Sequence, residues 1–305
     1  MRWTSWAALA LCAGLVTGCG DKTDKAGAAG DDSAKGSASK VAAEDKVRCP
    51  ARVKTPGRAA GAPVDDVLGI RPGLTLDEAI NIVRCEDKTL EVKVAERGFD
   101  LNTYGAKLRQ GFHTTPKEPE LSGEEALEQM RQRQMDRSLN RSRDAAPGQA
   151  FTVSAIGLPG EETVIGVWRT QRFEPEKNPP IDSLVAALTE KYGPPTTQDG
   201  KYTVWLYDSQ GRLAGRDSPL VSSCRVNAYP GGFSVSPDCA LGISAVIEPL
   251  RTNPALAESL NVGLTHQSLA YSKLEATQAA LDQKEAARRA EELGKARDNA
   301  GAPKL

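Results

Sequence analysis

The sequence predicts an α+β protein: a mainly antiparallel sheet with packed helices, a disordered N-terminal tether and a long C-terminal helix. Three observations predict it. Capped helical stretches and period-two apolar stretches follow one another in irregular order, without the regular alternation of a parallel sheet. Short Gly/Pro turns join neighbouring strand-like runs, which is the signature of antiparallel hairpins. Residues 266–305 are rich in Ala, Glu, Lys, Arg and Leu, the composition of a long charged helix.

Taken in order, residues 1–18 read as a signal. One positive charge, Arg2, precedes an apolar run from Trp6 to Val16 that is too short to span a bilayer. The run ends in Val16-Thr17-Gly18-Cys19, which resembles the lipobox of bacterial lipoproteins. The resemblance implies diacylglycerol on the Cys19 thiol, cleavage before it, and acylation of the new amino terminus. Two or three acyl chains hold a protein on a membrane where one does not, at about 0.8 kcal/mol per buried methylene. Gly20 after the cysteine implies outer-membrane delivery, facing the periplasm. The alternative is an ordinary signal that leaves Cys19 as a free thiol. Residues 19–47 are Ala, Gly, Ser, Asp and Lys with almost nothing to bury, so they read as a lipidated flexible tether.

Residues 48–145 read as a helix–strand unit. Pro72-Gly73 makes a turn, Thr75 and Glu78 form a capping box, and Leu76, Ala79, Ile80 and Val83 share one face of a helix over Thr75–Cys85. Leu90, Val92 and Val94 alternate with charged residues, the period of a half-buried strand. Residues 101–119 carry mixed signals and yield no assignment. Ser122 and Glu125 form a second capping box, with Leu127, Met130, Met135 and Leu139 at helical spacing up to about Arg143.

Residues 146–265 read as an antiparallel α+β unit. Strands over Ala150–Ile156 and Thr163–Phe173 flank the Pro159-Gly160 turn. Ile181, Leu184, Val185, Leu188 and Tyr192 mark a helix that Gly193-Pro194 ends. Further strands are expected over Tyr202–Tyr207, Ser222–Ala228 and Leu241–Glu248. In the segment 266–305, Leu274 and Leu281 lie seven apart. Such a helix either packs on its own body near Leu269–Leu281 with a frayed tail or zips to a partner.

Lys and Arg number 39 against 40 Asp and Glu, so overall charge implies no nucleic-acid partner. Cys49, Cys85, Cys224 and Cys239 remain in the mature body, and an even count in an exported chain reads as disulfides. Three connectivities are possible. Cys49–Cys85 with Cys224–Cys239 is favoured because each pair stays within one half of the chain. No C-x-x-C spacing and no neighbouring histidine supports a metal or redox site, and no cofactor is implied.

The only histidines are His113 and His266, and no nucleophile elbow, zinc helix or phosphate loop accompanies them. Asp65-Asp66, Asp77-Glu78 and Glu161-Glu162 are adjacent carboxylates that caps and turns explain. The most suggestive feature is the stretch MRQRQMDRSLNRSR. Arg133, Arg137 and Arg141 fall four apart and stack on one helical face, with Arg131 and Arg143 nearby. Arginine forks suit phosphate or carboxylate, so these three are candidate anion-binding residues. The competing reading is a solvated face balanced by Glu124, Glu125, Glu128, Asp136 and Asp144.

Two fragments carry a family resemblance. IRPGLTLDEAINIV resembles the opening helix of small outer-membrane lipoproteins of the SmpA/OmlA type, and LTEKYGPPTTQDGKYTVWLYDSQGR resembles their helix exit and Trp-containing strand. Leu74 stands where that family usually has Met, and the fragments lie a hundred residues apart. The layout is also similar to a loose group of uncharacterised proteobacterial envelope proteins with a KYG-x-P helix end. The resemblance implies a scaffold role in envelope assembly. The expectation is a non-catalytic, lipid-anchored envelope protein that binds another envelope protein or an anionic component. The alternative is a periplasmic hydrolase whose site no motif reveals.

Overall fold

The computed structural model describes residues 48–117, 122–138, 146–232 and 234–301. Cys19, the signal 1–18 and the tether 19–47 lie outside the described residues. In chain order the elements are α1 (Leu76–Glu86), β1 (Leu90–Ala95), β2 (Gly111–Pro116), α2 (Gly123–Ser138), β3 (Gly148–Ile156) and β4 (Thr163–Arg172). There follow α3 (Ile181–Tyr192), β5 (Thr197–Asp199), β6 (Tyr202–Leu206), α4 (Leu220–Ser223), β7 (Leu241–Leu250), β8 (Asn253–His266) and α5 (Gln267–Asn299).

All eight strands join one sheet in the order β1-β2-β3-β4-β8-β7-β6-β5, every neighbouring pair antiparallel. The strands of residues 48–145 and 146–265 are therefore continuous, because β2 pairs with β3. The expected α+β fold class is the observed one. Two strand assignments need correction. Residues Ser222–Ala228 form no strand, because their main-chain groups are used elsewhere. Ser222 and Ser223 donate to Pro219 O, Cys224 donates to Leu220 O, and Asn227 O accepts the Trp168 indole. Conversely, β8 was not expected, yet it is a 14-residue strand joining β4 to β7 in the middle of the sheet.

Side-chain alternation gives the sheet two buried faces. On one, α1 packs Leu76, Ala79, Ile80 and Val83, and α3 packs Leu188 and Tyr192, over Phe112, Val153, Trp205, Ile243 and Val262. A bulge opposite Ser154 and Ala155 leaves Ile165 without a partner residue. One extra residue reverses the alternation. Val164 and Val167, three apart, thus both enter this core, while Ile165 joins Ile156 and Ala270 beneath α5 on the second face. There the segment closed by Cys224 and Cys239 crosses β4 and β8. Gly263 admits it: an added Cβ would stand 1.9 Å from Asn227 O and 2.7 Å from Trp168 Cδ1.

Of the two alternatives for the C-terminal helix, the first half of α5 takes the first and packs on its own body. Ala270, Thr277 and Leu281 are buried, Asn102 N donates to Gln278 Oε1 at 2.9 Å, and the Tyr104 hydroxyl reaches Asp282 Oδ1 at 2.8 Å. Past Glu285 the helix runs exposed and is braced by ion pairs along its own surface, such as Glu291 to Lys295 at 2.6 Å.

The registers bring several features to one end of the sheet. Leu90 pairs with Pro116, Gly148 with Arg172, and Arg172 with Ser259. The carboxyl end of α1, both roots of the α2 excursion and the β7–β8 turn therefore gather there, with Asp87 accepting from Gln149 Nε2 at 3.2 Å. His266 and the start of α5 lie at the opposite end.

Candidate functional site

The two favoured disulfides are present. Cys49 and Cys85 lie 5.4 Å apart at Cα, and Cys224 and Cys239 5.5 Å apart. The first fixes the entering chain to the last turn of α1, and Glu78 in the first turn fixes it again. Besides closing the capping box with Thr75, its carboxylate accepts from Lys54 N at 2.6 Å, Thr55 N at 2.8 Å and the Thr55 hydroxyl at 2.5 Å. Burial alone would raise its pKa. The Thr55 hydroxyl and the N–H donors outweigh that and hold it at about 2.

The second capping box also forms. Ser122 N and Oγ both donate to Glu125 Oε2 at 2.8 Å, which starts α2. Arg133 and Arg137 lie on this helix, and Arg131 pairs with Glu128 at 3.3 Å. Arg141 lies outside the described residues. Leu127, Met130 and Met135 are 54%, 61% and 52% exposed, so these three side chains stay out of the core.

His113 sits exposed on β2. His266 caps α5: its Nδ1 accepts from Leu269 N at 3.3 Å, which puts the ring proton on Nε2. Burial lowers its pKa, against the pull of the nearby Asp65 carboxylate. With Asp65 it borders a cleft of about 260 Å³. The adjacent carboxylates act as caps, turns and pairs. Asp66 accepts from Gly69 N at 3.0 Å and pairs with Lys191 at 2.9 Å. Buried Glu162 and exposed Asp77 share Arg109, at 2.7 Å each. Among the described residues no group of His, Cys, Asp or Glu is arranged to hold a metal ion, and no helix is long and apolar enough to cross a membrane.

A cleft of about 630 Å³ opens at the end of the sheet where the chain enters. The β4–α3 connection forms one wall and the β7–β8 turn the other. Phe173, Leu250 and Leu256 line it, together with an Arg172–Glu258 ion pair of 2.6 Å between the neighbouring strands β4 and β8. Its volume falls in the range of about 300–1,000 Å³ common for small-molecule sites. No sequence motif marks it, because its residues come from three separated segments. The period-two run Leu260, Val262, Leu264 was the available signal for β8 and hence for this wall.

No protein-family model matches the chain, and neither a curated protein nor a solved structure is detectably similar to it.

Proposed function

We propose that the chain is a non-catalytic, lipid-anchored protein of a bacterial cell envelope, held at the outer membrane on the periplasmic side, where it acts as a binding or assembly module. The observation that carries the reading is α2. A 16-residue helix is marginal alone in water and normally earns its place by burying an apolar face. This one interrupts two adjacent strands and leaves Leu127, Met130 and Met135 exposed beside arginines. A helix of this kind suits a partner: an envelope protein, or an anionic component reached through Arg133, Arg137 and Arg141. Two disulfides agree with an oxidising compartment, and the lipobox at Cys19 agrees with an anchor. The chain also enters the body at the end from which α2 departs.

Two experiments test this. A fatty-acid probe should label the protein in cells, and Cys19→Ala should abolish labelling and release the protein from membranes; continued labelling of the variant refutes the anchor. Replacing Arg133, Arg137 and Arg141 together by Gln should weaken binding to anionic vesicles or lipopolysaccharide at low salt while thermal stability stays unchanged. Exposed charges are screened beyond about 10 Å at 0.1 M salt, so added salt should weaken the unmodified protein in the same direction. Equal binding by both proteins removes the arginines from the reading.

A further inference from the structure

The cleft between the β4–α3 connection and the β7–β8 turn combines apolar side chains, Phe173, Leu250 and Leu256 among them, with two charges that have no ion-pair partner among the described residues. Its main-chain groups are largely spoken for. Phe173 N donates to Glu258 O at 3.0 Å, Ala257 N to Pro179 O at 2.9 Å, and Asn178 Nδ2 to Ala257 O at 2.8 Å. An extended peptide therefore finds little backbone to pair with. Arg172 and Glu258 satisfy each other. Two lining residues remain, Arg251 and Glu176, of opposite sign, and neither forms an ion pair among the described residues. Glu176 lies in the turn where Lys177 N donates to Glu174 O at 3.0 Å, its φ of 65° in the left-handed region.

We infer that this cleft binds a single-chain amphiphile with a zwitterionic head, the chain lying against Phe173, Leu250 and Leu256, the anionic group at Arg251 and the cationic group at Glu176. The lining selects this class. A chain is accommodated by apolar contact alone, which needs no backbone donors or acceptors. A purely anionic head would meet Arg251 but also Glu176, and a purely cationic head the reverse. Only a head with both charges finds a partner for each. The inference uses the cleft alone and stands whether or not Cys19 is acylated.

The test uses the chain starting at Lys46, which contains every described element and both disulfides and forms one compact unit. It is exported so that the disulfides form, then titrated calorimetrically with three 12-carbon compounds below their micelle concentrations: a lysophosphatidylethanolamine, dodecyl phosphate and dodecylamine. The zwitterion should bind up to about fivefold more tightly than either singly charged compound, since each exposed charge contact contributes up to about fivefold and each singly charged head lacks one of the two. Arg251→Gln and Glu176→Gln should each reduce zwitterion affinity about fivefold with an unchanged melting temperature. Leu256→Arg should abolish binding of all three, and Leu250→Lys repeats that test at the half-buried end of β7 should Leu256→Arg fail to fold. Equal affinity for the three compounds, indifference of zwitterion binding to both charge variants, or no binding at all would each overturn the inference.

Discussion

Replacing Glu78 by Gln isolates how much one charged cap contributes to the body. Glutamine keeps the helix propensity and one acceptor oxygen, so the change is mainly one of charge. The wild-type carboxylate serves two groups of donors. Oε1 takes Lys54 N and Thr55 N, and Oε2 takes Thr55 Oγ1, Thr75 N and Thr75 Oγ1. A glutamine turns an NH2 toward one group, leaving those donors without an acceptor. A native pKa of about 2 against an ordinary 4.5 corresponds to about 3 kcal/mol at 1.36 kcal/mol per unit. The native pKa is depressed, so this stabilisation is complete above pH 4.5 and disappears as pH falls through about 2. Urea unfolding followed by the fluorescence of Trp168 and Trp205 should therefore show Glu78→Gln less stable by about 2–3 kcal/mol between pH 5 and 7, with the gap closing toward pH 2. A gap under about 0.5 kcal/mol at pH 7, or one of the same size at pH 2.5, would refute the assignment of these hydrogen bonds to a charged carboxylate.

Peptide mapping without reduction should recover Cys49 joined to Cys85 and Cys224 joined to Cys239, and a cross-half peptide such as Cys85 with Cys224 would contradict the fold. Removing either bond by Ser substitution should lower unfolding free energy by about 3–4 kcal/mol in the chain-entropy model, the longer loop costing slightly more. Gly263→Ala places a methyl group 1.9 Å from Asn227 O, so it should lower stability by about 3 kcal/mol or more and expose the Trp168 indole to quenchers; an unchanged melting temperature would show that the crossing segment is not seated there. Arg109→Ala should cost about 2–3 kcal/mol because it leaves the buried Glu162 carboxylate unpaired, and the loss should be largely relieved in the double variant with Glu162→Gln.

What the sequence disclosed was whatever local chemistry encodes. Thr75 with Glu78, Pro159-Gly160 and Gly193-Pro194 specify a start, a turn and a stop within a few residues, and α1, the β3–β4 hairpin and α3 followed. The cysteine pairing was legible because each pair closes within one half of the chain. β8 was not, for a physical reason: its second face carries Ser259, Asn261, Gly263 and Thr265, residues typical of loops. All are buried, and at Gly263 what covers the strand is the segment closed by Cys224 and Cys239. The same crossing explains the misread Ser222–Ala228 stretch, whose peptide groups serve side chains and a helical turn. The arginine helix was legible as a pattern, while the cleft depends on Phe173, Glu176, Leu250 and Arg251 meeting across strands that only the full sheet order brings together.

The placement of Cys49 against Cys85 also decides how a pull on the amino terminus is transmitted. Tension arriving at Cys49 passes through sulfur directly into the last turn of α1 and bypasses the 36-residue separation between the two cysteines. The Glu78 clasp, the Arg71 contact to Pro56 and the turn before α1 all lie inside that closed loop, so none of them bears the load. Only Glu86–Thr89 separate Cys85 from β1, so force then enters the edge strand along the main chain, while the packing of Ala79, Ile80 and Val83 braces the helix beside it. A reduced chain would instead be peeled from Cys49 inward, one hydrogen bond at a time.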